Sequence, residues 1–520
     1  MSTRHRLRIS HLLVAAILGV LAFTLVLIVT DPPGPGLDPD AMAYLGAAQS
    51  VAHGAGYRIP AAGWRRPDSS AALTHFPPGY STALALPVRL GMAPPQAARL
   101  IQAVAAAITV GTTALLVAGA TTVAAGALAG VALLAMPAMA LVHLSVLSEP
   151  LFLACTILVL AAMAAPRPRP VRTGVAAALG ALTRYAGLAL VGAAMLWAMA
   201  EPGTARERLR RALLALLPAA LLQGAWMLRT RLLHEPAEIR RLALYGRLGP
   251  TLVQGGATLR DWLVPDPDAW SDPLPYRPAL ALAVAFVVTS LVVLGTRSAL
   301  AGRRDPARTV DAPPAARAPL RLLAASALVL ACYLGLLLVS RLLADPGIPF
   351  DERILAPALL VATVAIATAT AVWWRATPRV LPRVALAVAL CGWAVAAAAT
   401  TGQEAAYALD WGSDFAGEQW RRSELLDWAR TAGATHPLYS NWPAAVYFHL
   451  HRAGHYIPTA REGAAALGAF ADTLRARDGR ALVFASADVD YLTVAQLRAA
   501  PGLEVVAELE DGLVLRARPR

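Results

Sequence analysis

The 520-residue chain contains no lysine. All 46 of its basic residues are arginine, so any contact with a phosphate must be made by a planar guanidinium instead of a compact ammonium. Cysteine is also scarce. Cys155, Cys332 and Cys391 each lie inside an apolar run, where a thiol behaves as a small hydrophobe, and they form no disulfide framework. Charged residues are only 15% of the chain, against 57% hydrophobic. A formal net charge of +13 would suggest nucleic acid in a soluble protein, but here the arginines collect in short links between apolar runs, where they set membrane orientation. That distribution speaks against a nucleic-acid partner.

What the chain has in abundance is apolar runs of about twenty residues, the length an α-helix needs to span a bilayer. They lie at 11–30, 96–118, 122–142, 149–165, 212–228, 279–296, 321–343, 355–374 and 384–401. The first follows Arg4, Arg6 and Arg8, but it is longer than a signal-peptide core and no small-x-small cleavage site precedes Asp31, so it is expected to remain as a span. The stretch 173–200 is awkward, because arginine-rich segments flank it on both sides, Arg167, Arg169 and Arg172 before it and Arg206, Arg208, Arg210 and Arg211 after it. Both flanks then belong on the cytoplasmic side. A hairpin of two short helices with Thr183, Arg184 and Tyr185 at its tip satisfies them. Arms that short do not reach across a hydrocarbon core of about 30 Å, so Arg184 is expected below the outer surface, where a charge is tolerated only in a protein cavity.

Counting the hairpin as two passes gives about eleven spans, with a cytoplasmic N-terminus and an external C-terminus. The links 297–321 and 375–383 are then cytoplasmic, and outer-face loops fall at 31–95 and 229–278, with a shorter one at 344–353. After residue 401 the apolar runs stop. Strand-like pieces ("LVFAS", "LEVVAEL", "LVLRA") and helical pieces at 418–431 and 463–477 indicate a soluble α/β domain over 402–520, outside the membrane. The expected fold is therefore mostly α, a polytopic bundle over 1–401 followed by that domain. In the 229–278 loop, "AEIRRLALYGRLG" alternates apolar residues with Arg240, Arg241 and Arg247 at near-helical spacing, which predicts an interfacial helix.

In "GLDPDAMAYLGAAQSVAHG", Asp38 precedes Pro39 and a run of helix formers, the pattern of an N-cap followed by proline at the first helical position. Asp38 is thereby assigned to capping. Asp40, at the second helical position, is favoured by the helix dipole without needing a capping bond, and it shares a face with Tyr44. Further on, "THFPPGYS" ends the same loop, with Pro77 and Pro78 fixing an extended segment and Gly79 a tight turn. Glu149 stands in "LSEPLF" at the start of an apolar run. His449, His451 and His455 do not share a helix face and lack a completing ligand, so no metal site is read there.

Taken in order, an outer-loop Asp-x-x-x-Tyr, "GAGY", "PPGY", Ser-Glu-Pro after the third span and "TRY" resemble the polytopic GT-C glycosyltransferases, the superfamily of protein O-mannosyltransferases and lipid A aminoarabinose transferase. The resemblance covers about residues 1–400, and the order is more specific than any one motif. It implies an inverting transfer of a sugar from a polyprenyl-phosphate donor to an acceptor hydroxyl of a lipid, glycan or protein, at the outer face of the cytoplasmic membrane. It makes Asp40 the base. It makes Arg184, and after it Arg353 in "DERIL", the contacts to the lipid phosphate, with Asp38, Tyr44, His75, Glu149 and Tyr185 as substrate-binding or cavity residues. Glu149 would orient an acceptor or a helper divalent cation; no other cofactor is implied. The aminoarabinose branch carries a lysine before its proline pair where this chain has Phe76, a departure that bears on the phosphate contacts. The rival expectation is a transporter or lipid flippase, which predicts inverted repeats and a midplane site.

Overall fold

A computed structural model of the chain describes residues 3–66, 70–167, 169–233, 243–246, 248–266, 275–301, 317–463, 465–486 and 491–519. In chain order the first elements are α1 (Thr3–Val29), α2 (Pro39–Ala52), the short strands β1 (Arg58–Ile59) and β2 (Ala71–Ala72), and α3 (Gly79–Arg89). Then come α4 (Pro94–Ala120), α5 (Val123–Ala135), α6 (Pro137–Leu144), α7 (Glu149–Ala164), α8 (Pro170–Thr183), α9 (Leu188–Ala200) and α10 (Ala205–Leu232). They are followed by α11 (Gly249–Leu263), α12 (Arg277–Ala301), α13 (Ala318–Leu343), α14 (Glu352–Ala376) and α15 (Val380–Trp411). The remainder is α16 (Glu418–Arg421), α17 (Glu424–Thr431), β3 (Leu438–Ser440), α18 (Pro443–Leu450), β4 (Gly454–Tyr456), α19 (Ala465–Arg477), β5 (Arg480–Phe484), α20 (Val494–Arg498), β6 (Leu503–Leu509) and β7 (Gly512–Ala517).

The chain divides into two compact units. The first comprises Met1–Val29, His75–Tyr80 and Arg99–Tyr407, and it is a multi-pass membrane bundle. Among the described residues, seven helices are long and apolar enough to cross a membrane, or eight with the bent pair α5 and α6 counted as one. Their outward faces are apolar, as with Leu12, Leu13, Ile17 and Val20 on α1 and Val384, Val388 and Val395 on α15. Lipid is as apolar as leucine, so the helices hold together by close backbone approach. A Cβ on Gly174 of α8 would lie 2.2 Å from the Ala215 carbonyl of α10, and one on Gly295 of α12 would lie 2.3 Å from the Ala369 carbonyl of α14.

Every predicted apolar run is helical, with two refinements. The run 122–142 is broken at Met136–Pro137, where α5 and α6 meet at 63°, because proline removes a hydrogen-bond donor and clashes with the preceding turn. The stretch 173–200 is the expected pair of short helices, α8 and α9, joined by a 3-10 turn at Tyr185–Gly187. At 1.5 Å per residue each arm is roughly 20 Å long, short of a hydrocarbon core.

The outer loop 229–278 differs from expectation. Most of "AEIRRLALYGRLG", including Arg240, Arg241 and Arg247, lies outside the described residues, and residues 243–246 are not helical. The N–H groups of Ala243 and Tyr245 donate to the Leu343 and Leu342 carbonyls at 3.1 and 2.8 Å, an extended arrangement along the end of α13. Among the described residues of this loop, Gly249–Leu263 form helix α11, packed with Gly255 against the Phe350 ring.

The second unit comprises Thr30–Thr74, Ser81–Ala98 and Ala408–Arg520. Its sheet has the order β4-β3-β5-β7-β6, with β3 parallel to both β4 and β5, and β7 antiparallel to β5 and β6. The inner strands β3 and β5 are buried throughout, as strands covered on both faces require, while the edge strand β4 is partly exposed. One core lies around Tyr439, Phe470 and Leu515, a second around Phe415, Trp420 and Phe484. The division predicted after residue 401 falls within α15, which continues to Trp411.

Candidate active site

In the membrane unit the centre of the site is Glu149, the first residue of α7. Its side chain is 1% exposed, and Arg184 and Arg353 both ion-pair with its Oε1, Arg184 at 2.6 Å. Arg184 also donates from Nη1 to Ser148 Oγ at 3.0 Å, and the Ser148 hydroxyl donates to Glu149 Oε2 at 3.3 Å. Ser148, fully buried, is thus a site residue that sequence reasoning passed over, although it stands in the Ser-Glu-Pro motif.

Each arginine is delivered by a helix end. Arg184 is extended (φ −146°, ψ 141°) between the last turn of α8 and the 3-10 turn, its N–H donating to Gly180 and its carbonyl accepting from Gly187. Arg353 lies in the first turn of α14, which starts at Asp351, whose carboxylate accepts from the Ile354 N–H at 2.8 Å. Behind the pair, Tyr333 of α13 donates its hydroxyl to the Ile354 carbonyl at 2.7 Å, and its ring packs 6.1 Å from that of Phe152. The side chains of Arg184 and Arg353 stay 18% and 23% exposed. One buried carboxylate therefore fixes two guanidiniums that keep part of their surface open, and the formal charge of the three groups is one net positive.

In the structure Glu149 is the shared partner of both arginines. Among the described residues no group of three or more His, Cys, Asp or Glu is placed to hold a metal ion.

The "PPGY" motif belongs to this region. Gly79 has no left-handed turn to make; it begins α3, and its constraint is close approach. A Cβ there would lie 2.6 Å from the Leu182 carbonyl and 3.0 Å from the Thr183 nitrogen, the backbone immediately before Arg184. His75 is exposed and stands edge-on to Phe76 at 4.8 Å, while Tyr185 is half-buried in the 3-10 turn. His143 is buried, with Nδ1 donating to the Met139 carbonyl at 2.8 Å, and not an interfacial group.

In the second unit, Asp38 caps α2 as its Oδ1 accepts the Asp40 N–H at 3.0 Å, and Pro39 occupies the first helical position. Asp40 is half-buried at the second. Tyr44, one turn on, is 1% exposed. The helix closes at Ala52 with His53 as C-cap, and Gly54 takes φ +80°. The capping role of Asp38 is the one expected from Pro39.

The chain is similar to ArnT from Cupriavidus metallidurans bound to undecaprenyl phosphate, at 15% identity and a TM-score of 0.44, over 96% of this chain and 97% of that one. It is similar to the Archaeoglobus fulgidus oligosaccharyltransferase in the apo form, at 13% identity and a TM-score of 0.49, over 91% of this chain and 69% of that one. A further similar structure is the archaeal oligosaccharyltransferase AglB from Archaeoglobus fulgidus in complex with an inhibitory peptide and a dolichol-phosphate, at 13% identity and a TM-score of 0.47, over 90% and 69%. No family model matches the sequence, and no curated protein matches it.

Proposed function

We propose that the protein is an inverting glycosyltransferase that moves a sugar from a polyprenyl-phosphate donor to an acceptor hydroxyl of a lipid, glycan or protein at the outer face of the cytoplasmic membrane. The observation that carries this reading is the Glu149 bridge, a carboxylate buried at a helix end that brings Arg184 and Arg353 together. Such a pair suits a phosphate that gains charge as it leaves. In the transfer, the acceptor oxygen attacks the anomeric carbon, the bond from that carbon to the phosphate oxygen breaks, and its electron pair goes to the lipid phosphate. The acceptor's proton passes to the Asp40 carboxylate. Arg184 and Arg353 stabilise the phosphate through N–H groups fixed before the reaction starts, so little reorganisation is required at the moment of bond cleavage. Since the chain has no lysine, these contacts are guanidinium contacts, able to meet two oxygens at once.

The test is transfer of labelled sugar from synthetic polyprenyl-phosphate sugars, hexosyl and pentosyl, to membrane acceptors by the purified protein. Transfer with inversion at the anomeric carbon is expected, falling on the order of 100-fold or more in Arg184→Ala and in Arg353→Ala. Retention of configuration, or full activity in both variants, overturns the assignment.

A further inference from the structure

The helix that carries Asp38 and Asp40 is built into the C-terminal sheet domain, all within one unit. Just before the cap, Leu37 forms a parallel bridge with Asp414, and the Phe415 N–H donates to the Leu37 carbonyl at 3.2 Å. The turn that offers this N–H is tight: Gly412 takes φ 75°, and a Cβ on it would lie 2.4 Å from the Ala416 carbonyl. Asp414 takes φ 52°, a left-handed conformation that a non-glycine residue holds only when its surroundings enforce it. Phe415 is the hub of those surroundings. Its ring lies 4.7 Å from Trp420, 5.5 Å from Trp442 and 6.1 Å from Phe448, and its carbonyl accepts from His449 Nε2 at 2.8 Å.

The same cluster takes up Met42, two residues beyond Asp40 and 2% exposed. At the far end of α2 the Tyr447 hydroxyl donates to Gln49 Oε1 at 3.2 Å. The segment after α2 is fastened too, by the Tyr456 N–H on the Ala62 carbonyl at 3.0 Å and by Trp64 Nε1 on Glu462 at 3.3 Å. Both ends of α2 are thus fixed by residues more than 350 positions away in sequence, and the Gly412–Gly417 turn holds Leu37, the residue just before its cap.

We infer that the Gly412–Gly417 turn, through Phe415, is the positioning element for Asp40, so that the C-terminal domain is a working part of the transferase. Phe415 is a positioning residue. It sets where the cap lies and at what angle α2 leaves it, and therefore where the Asp40 carboxylate stands. The inference rests on the proposed function for the role of Asp40, but the coupling of Phe415 to α2 holds independently of it. A base displaced by about 1 Å loses roughly 100-fold in rate, so a defect in this turn is expected in kcat before it is expected in donor affinity.

The experiment uses the full-length protein in detergent or nanodiscs, with Phe415→Ala, Phe415→Leu, Tyr447→Phe and a remote control, Arg516→Ala, which removes an exposed ion pair with Glu504. Two readouts run together: hydrogen exchange of the 39–52 segment, and kcat with the KM for polyprenyl-phosphate sugar. Phe415→Ala is expected to raise exchange across 39–52 about tenfold and to lower kcat about 100-fold with KM within about twofold. Phe415→Leu restores most of both, Tyr447→Phe raises exchange only in the last turn of α2 by about threefold, and Arg516→Ala matches the parent. Parent-level exchange over 39–52 in Phe415→Ala overturns the inference whether or not transfer is observed, as does a kcat loss with that protection intact. Should Phe415→Ala unfold the whole domain, the localised effect of Tyr447→Phe decides, and its absence overturns the inference. A parent protein that transfers no sugar sinks the proposed function and leaves the exchange result to stand on its own.

Discussion

Glu149 holds Arg184 and Arg353 by charge, inside a bundle of apolar helices, whereas Asp40 is held by a capped helix fastened to a mixed sheet through backbone bonds and aromatic packing. The contrast follows from the surroundings. In a membrane bundle a guanidinium at a helix end needs a partner carboxylate, and a single buried acid can orient two of them at once. Asp40 owes its position to the main chain beneath it, which α2 obtains from Asp38, Pro39 and the Phe415 turn. Charge is therefore fixed by charge in one unit and by architecture in the other.

The largest expected effect is Asp40→Asn, which keeps the helix start and removes the base; transfer is expected to fall roughly 100- to 10,000-fold. Next comes Arg184→Lys. A lysine keeps the charge but cannot donate to Ser148, Glu149 and a phosphate as a planar fork does, so transfer should fall at least about tenfold, together with affinity for undecaprenyl phosphate measured by calorimetry. Glu149→Gln sharpens the contrast further. It leaves two guanidiniums without their shared carboxylate, so donor binding should change while exchange over 39–52 stays at the parent level. Gly79→Ala drives a methyl group into the Leu182 carbonyl, and a loss of about 10-fold in transfer is expected from displacement of the backbone that precedes Arg184.

The smallest effect is one of pH, in the second unit alone. Burial, aided by the charges of Arg430, His451 and Arg421, holds His449 below its ordinary value of 6.5 despite the bond to Phe415. The folded state thus favours the neutral imidazole. Its contribution is full above about pH 6.5 and is lost as pH falls toward the lowered folded value. Mild acid should accordingly loosen 39–52 in exchange experiments, and His449→Gln should flatten that dependence.

The spans were readable because a membrane crossing demands about twenty apolar residues, a signal written into contiguous sequence. The cap at Asp38 and the place of Asp40 in the first turn were readable for a similar reason, since Pro39 fixes the register of a helix start locally. The bend at Pro137 was hidden within an unbroken apolar run. Helix α11 was missed because Gly255 and Gly256 interrupt its pattern, yet Gly255 is there to admit the Phe350 ring. The short parallel strands β3 and β4 leave too little periodicity to read. Least legible were the long-range contacts: Glu149 meets Arg353 across 204 positions, and Leu37 meets Phe415 across nearly the whole chain. No local pattern encodes such pairings, so in the sequence Glu149 is only an acid at the start of an apolar run and the C-terminal domain looks like a separate body.

The most direct test of the account is labelled-sugar transfer from a polyprenyl-phosphate donor by the parent, Asp40→Asn and Asp38→Asn side by side. The account predicts that Asp40→Asn abolishes transfer without disturbing α2, and that Asp38→Asn, which retains a side-chain oxygen able to cap, keeps most of it. Full transfer by Asp40→Asn, with or without loss in Asp38→Asn, would contradict it.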